Sequence, residues 1–183
     1  MKKDKKTQTI ASSKSAQTQL KTSLRNHIDL SAIADNKANM MLSINAMILT
    51  IGIPLLINSS SKYPHLAIPI FILSFICIAS MIFATLATRP IKMSGITNLE
   101  DIAQKKSNLF FFGNFHKMKF EEFEEGIKIV VADDEVMDNS ITRDLFFLGK
   151  ALGNKYRYLR FCYNTFMFGI ASTVIFAAIL VCI

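Results

Sequence analysis

The stretch Ala38–Ser61, ANMMLSINAMILTIGIPLLINSSS, holds no Lys, Arg, Asp or Glu, and it is most apolar from Met40 to Ile57. A helix needs about 20 mostly apolar residues to cross about 30 Å of hydrocarbon, and this stretch supplies them. Two further runs are equally free of charge: Tyr63–Thr88, YPHLAIPIFILSFICIASMIFATLAT, and Phe161–Ile183, FCYNTFMFGIASTVIFAAILVCI. Three such runs in one chain predict an all-α integral membrane protein with three transmembrane helices. A cleaved signal peptide does not fit the first run, which starts far into the chain, is long, and is followed at once by a second span.

The composition agrees. Of 183 residues, 51% are hydrophobic and only 19% charged, with a mean hydropathy of +0.32. A soluble domain of this length carries more charge and less apolar residue. The net charge is +7. Basic residues beside membrane spans hold the cytosolic side and touch anionic lipid, so the partner expected from this charge is the bilayer and not nucleic acid. Cys77, Cys162 and Cys182 lie in or beside apolar runs. An odd number with no CxxC spacing suggests neither a disulfide framework nor a zinc site, and buried small hydrophobes are the simpler reading.

Charge placement sets the orientation. Lys2, Lys3, Lys5, Lys6, Lys14, Lys21 and Lys37 precede the first span. Arg89 and Lys92 follow the second, and Lys155, Arg157 and Arg160 precede the third. The linker between the first two spans, Asn58–Pro64, holds only Lys62 and reads as a turn. The positive-inside bias places the N-terminus and residues 89–160 in the cytosol, and the linker and C-terminus outside. The spans 38–88 form an antiparallel hairpin. Residues 1–16 are Lys-, Ser-, Thr- and Gln-rich and read as a disordered basic tail. A helical stripe of Leu20, Leu24 and Ile28 makes 17–37 a cytosolic amphipathic helix that runs into the first span.

Between the second and third spans, residues 89–160 read as a small cytosolic helical module. Arg89-Pro90 ends the second span. The aromatic segment Asn108–Phe115 is too short to cross a membrane and packs in a core or at the lipid interface. Phe120, Phe123, Ile127 and Val130 stand against Glu121, Glu122, Glu124 and Glu125 as an amphipathic helix. The stripe Ile141, Leu145, Leu148, Leu152, Tyr156, Leu159 continues through Tyr163 and Phe166, so one long helix is expected from about Asn139 through the C-terminal span 161–183.

Within the spans, Pro54 removes one backbone hydrogen bond. Asn45 is expected to bond to a neighbouring helix or a backbone carbonyl, with a polar seam as the alternative. Small residues recur every four positions at Thr165, Gly169, Thr173 and Ala177, and again at Ser80, Ala84 and Thr88. Such stripes let helices approach closely, within the chain or between copies.

No catalytic constellation emerges, and the chain is not expected to be an enzyme. Its glycines fit neither GxxxxGK[ST] nor GxGxxG. His27, His65 and His116 are far apart, which argues against a metal site. Asp133, Asp134, Glu135 and Asp138 lack the Gly and terminal Glu of an EF-hand and read as a helix start. No cofactor is expected.

Three stretches, DNKANMMLSINA (35–46), NLFFFGNF (108–115) and RDLFFLGKALGNKYRYLR (143–160), resemble the membrane effectors of bacterial Pycsar, the pyrimidine cyclase system for antiphage resistance. The resemblance covers about residues 20–183. It implies a multi-pass protein of the bacterial inner membrane. A partner cyclase senses phage and makes cyclic UMP or cyclic CMP; the effector responds, membrane integrity fails, and infection aborts. The phosphate of such a ligand would want a basic donor and its base an apolar or aromatic surface. Arg143, Lys155, Arg157 and Arg160 are the candidates for the phosphate, and the Phe110–Phe115 loop with Asn114 for the base. For Lys155, Arg157 and Arg160 the competing reading is that of topology anchors. Ligand-driven assembly, or rearrangement of an existing homo-oligomer, would open the leak. The alternatives are a membrane scaffold and a constitutive, holin-like channel, neither responding to nucleotide.

Overall fold

The computed structural model describes residues 13–62, 64–90, 95–104 and 106–182. Among them there is no strand. Six helices follow in order: α1 Lys14–Lys62, α2 Pro64–Thr88, α3 Leu99–Ala103, α4 Phe112–Phe115, α5 Phe120–Ala132 and α6 Asp134–Cys182. Three of them, α1, α2 and α6, are long and apolar enough to cross a membrane. Residues 1–12, the greater part of the expected tail, lie outside the described residues, as do Tyr63, Lys92 and Ile183.

Helix boundaries differ from the sequence expectations in ways that have physical reasons. The linker read as a turn over 58–64 is helical as far as Lys62. The serines mark the end of the apolar run, not the end of the helix, because Ser is only mildly unfavourable in helical backbone. The last helix starts at Asp134, five residues before the expected Asn139. Its start is fixed by Asp133, whose Oδ1 accepts from the backbone N–H of Glu135 at 2.8 Å and of Val136 at 3.4 Å. That is an N-cap satisfying donors the first turn leaves over, with Asp134 and Glu135 favourable at the positive end of the dipole. The helix α3 is too short to show periodicity and was not anticipated.

The chain divides into two compact units, Met1–Asp29 with Pro90–Ala151 and Leu30–Arg89 with Leu152–Ile183. In the second unit the buried residues are small: Ala34, Ala38, Ala84, Ala87 and Cys162, with Met41 and Leu159. The large apolar side chains, among them Met47, Ile51, Phe71, Phe75 and Phe168, face outward. Small interior, large exterior is what helices do when the surrounding medium is itself apolar. Gly169 on α6 lies against Ile76 on α2, where a Cβ would collide with the isoleucine side chain. Thr173 donates to the Gly169 carbonyl at 2.8 Å. Ser80 and Ala84 are fully buried. These small-residue positions are therefore used for packing within the chain.

One buried polar cluster ties the three helices of this unit. The Asn45 Nδ2 donates to the Met41 carbonyl at 2.7 Å and to Ser80 Oγ at 3.1 Å. Ser80 Oγ in turn lies 3.2 Å from the Cys162 carbonyl and 3.3 Å from its Sγ. Asn45 thus bonds both to a neighbouring helix and to its own backbone. Nearer the charged end of the unit, Lys155 Nζ sits 2.7 and 2.8 Å from the two Asp35 carboxylate oxygens and 2.9 Å from Ser31 Oγ.

The first unit has the opposite kind of core: Ile102, Leu109, Val130 and Val136, with Phe115, Phe123, Ile127 and Met137 against them. Phe115 and Phe123 rings stand 4.7 Å apart, a spacing that favours tilted aromatic pairs. Gly95 adopts φ 78°, a backbone only glycine takes easily. Its N–H donates to the Gly113 carbonyl and its carbonyl accepts from Lys117 N–H, both at 2.9 Å, which pins the aromatic segment into a closed turn.

Candidate functional site

Within the first unit lies a cavity of about 570 Å³. One wall comes from the first turns of α1, with Gln17, Leu20, Lys21 and Leu24; the stripe spacing of 20 and 24 puts both leucines on one face. A second wall comes from the first turns of α6, with Asp134, Met137, Ile141 and Asp144. Asn108, Phe110 and Val131 complete it. The volume falls in the range of small-molecule sites, about 300–1,000 Å³, and so does the character: mostly apolar, with a few polar groups.

The Asn108 corner is built by its own hydrogen bonds. Its Oδ1 accepts from Phe110 N–H at 2.8 Å, and its carbonyl accepts from Asn114 Nδ2, also at 2.8 Å. Asn114 therefore supports the corner from behind, and Thr97 Oγ1 donates to the Asn114 carbonyl at 3.1 Å. On the α6 wall, burial pushes the Asp144 carboxyl above its ordinary value. Among the described residues Lys21 is the one cation lining the cavity, opposed by two acids, Asp134 and Asp144.

The basic residues expected from sequence fall in two groups. Arg143 belongs to the first unit and is held there: its Nη1 donates to the Lys106 carbonyl at 2.9 Å and its Nε to Asn139 Oδ1 at 3.1 Å. Lys155, Arg157 and Arg160 belong to the second unit. Lys155 is taken up by Asp35. Arg157 lies with its guanidinium carbon 5.5 Å from the Tyr158 ring centroid, within reach of a cation–π contact. Arg157 and Arg160 are both exposed. At about 100° per residue, Lys155 points to the side of α6 away from Arg157 and Arg160, so the three do not converge.

Sequence reasoning missed Lys21 and Asp144 as members of one site. Lys21 was counted as a topology charge, and Leu20, Leu24 and Ile141 as packing stripes. No motif signals that these faces meet. Among the described residues no cluster of His, Cys, Asp or Glu could hold a metal ion.

Among the described residues, three helices are long and apolar enough to cross a membrane, and the leading turns of two of them wall a ligand-sized cavity. The family model of the Pycsar effector protein domain matches residues 19–182, and the chain belongs to that family. No curated protein and no solved structure matches the chain. Membership in an effector family, as distinct from the cyclase that would supply a messenger, agrees with the lack of a catalytic arrangement in the sequence.

Proposed function

We propose that this protein is a membrane effector of a bacterial antiphage defence system, switched on by cyclic UMP or cyclic CMP from a partner cyclase to breach the inner membrane and abort infection. Its N-terminus and its 89–160 module face the cytosol, where the messenger is made, and its C-terminus faces the periplasm. In this reading it works as a homo-oligomer whose copies together form the leak.

The observation that carries this reading is the continuity of α1 and α6. Each is 49 residues long, roughly twice what a bilayer requires. Each supplies a wall of the cavity with its first turns and a span-length apolar stretch with its last. A ligand in the cavity would therefore touch the same two helices whose later turns are long and apolar enough to cross a membrane. To turn a rare open state into the dominant one, the ligand must favour it by about 5.5 kcal/mol.

The test is dye release from vesicles carrying the purified full chain. Release on adding cyclic UMP or cyclic CMP, and none with cyclic AMP or cyclic GMP, is the expected result. Vesicles that leak before any nucleotide is added would instead make the protein a constitutive channel. Tight vesicles under all four nucleotides, with the protein folded, would leave a scaffold.

A further inference from the structure

Granting the nucleotide-gated reading above, the ligand's place remains to be assigned. We propose that the cyclic nucleotide occupies the cavity of the first unit, its phosphate on Lys21 and its base against the apolar wall of Leu20, Leu24 and Ile141.

Three observations converge on this arrangement. The first is charge. A cyclic phosphate carries one negative charge and needs a donor, and among the described residues Lys21 is the one cation that lines the cavity, in company with Asp134 and Asp144. A lysine ammonium serves as a point charge for phosphate without needing a planar match. The two acids repel the phosphate from the α6 side and so orient the ligand, with the phosphate toward α1. The Asp144 carboxyl on that side offers an acceptor to a base N–H.

The second is engagement elsewhere. Arg143 is directed to the Lys106 carbonyl and to Asn139. Lys155 is bound by Asp35 and Ser31. Moving either to a phosphate would first break contacts at hydrogen-bond distance, and a buried or half-buried partner left alone costs free energy. Lys21 lies on an exposed face at the cavity rim.

The third is shape. Leu20 and Leu24 on α1 stand across from Ile141 on α6, so the apolar wall is shared between two helices. A flat base entering there gains contact with both. It would then bridge the leading turns of the two helices whose later turns are span-length and apolar.

The experiment is calorimetric titration of cyclic UMP and cyclic CMP into the full chain in detergent, for the wild type and for Lys21→Gln, Arg143→Gln and Leu24→Trp. Thermal unfolding of each variant is measured alongside. The expected result is that Lys21→Gln weakens binding at least tenfold with unfolding unchanged, as an exposed lysine should allow. Leu24→Trp fills the apolar wall and abolishes binding, while Arg143→Gln stays within about twofold of wild type. Wild-type binding with Lys21→Gln also within about twofold overturns the assignment and leaves the gated reading standing. A tenfold loss confined to Arg143→Gln overturns it in favour of the arginine. If the wild type binds neither nucleotide, the assignment and the gated reading fall together.

Discussion

The two units of this chain solve the burial problem in opposite ways. The first hides Ile102, Leu109, Val130 and Val136 and closes loops around them, as water-driven folding demands. The second hides alanines, two cysteines, a serine, a threonine and an asparagine beside Met41 and Leu159, and turns Ile51, Phe71 and Phe75 outward. In hydrocarbon nothing is gained by hiding a phenylalanine from an equally apolar medium, so close approach and hydrogen bonds decide what goes inside. The same residue types thus carry opposite meanings along one chain. Ile102 and Leu109 are core in the first unit, whereas Ile51, Phe71 and Phe75 are surface in the second.

Truncation is the sharpest way to break this contrast. Leu109→Ala removes a side chain that is 1% exposed, from the middle of the first unit's apolar core. A loss of about 2–5 kcal/mol is expected, read as a fall in the unfolding midpoint in detergent. Ile51→Ala, at a position 60% exposed, should leave the midpoint close to wild type. Equal losses at both sites would mean that the second unit also depends on burying large side chains, and the membrane reading of its outer surface would suffer.

A smaller effect separates the two units by glycine. At Gly169 a Cβ would strike Ile76 Cγ2, a branch next to the isoleucine backbone that has little room to move. At Gly126 the nearest atoms are Leu109 Cδ1 at 2.5 Å and Ile102 Cδ1 at 2.9 Å, the far ends of side chains that can turn away. Gly169→Ala is therefore expected to cost about 1–3 kcal/mol as overpacking. Gly126→Ala should cost less, because alanine also gains helix propensity there. Reversal of that order in thermal unfolding would show that the helices of the second unit separate more readily than Gly169 and Ile76 imply.

The contrast also explains what sequence could disclose. The three apolar runs were legible because a charge-free stretch of that length has few alternatives, and the stripe from Ile141 to Phe166 disclosed one continuous helix. Asp133 to Glu135 disclosed a helix start, since acids favour that end, though the start was placed a few residues late. The cavity stayed hidden. Leu20 and Leu24 announce an apolar face, and so does Ile141, but periodicity names a face without naming its partner, and these lie more than a hundred residues apart. Asn114 could be suspected of contact with a base, yet its amide holds the Asn108 carbonyl. Only tertiary contact distinguishes a polar group that lines a site from one that braces it.

The smallest expected effect concerns Asp144 and turns on a sign. Burial raises its carboxyl above the ordinary 3.8, so the folded chain holds this proton more tightly than the unfolded chain does. The group therefore favours folding most at pH below its unfolded value, and that contribution drains away as pH rises through the raised folded value. Asp134 and Lys21 line the same cavity, so the slope of the whole protein does not isolate Asp144; the variant does. Asp144→Asn keeps the shape, removes the ionisation and should unfold about 1–3 °C higher than wild type at neutral pH, with the difference vanishing in acid. Should Asp144→Asn shift the midpoint equally at every pH, its effect would not come from a charge buried at the cavity wall.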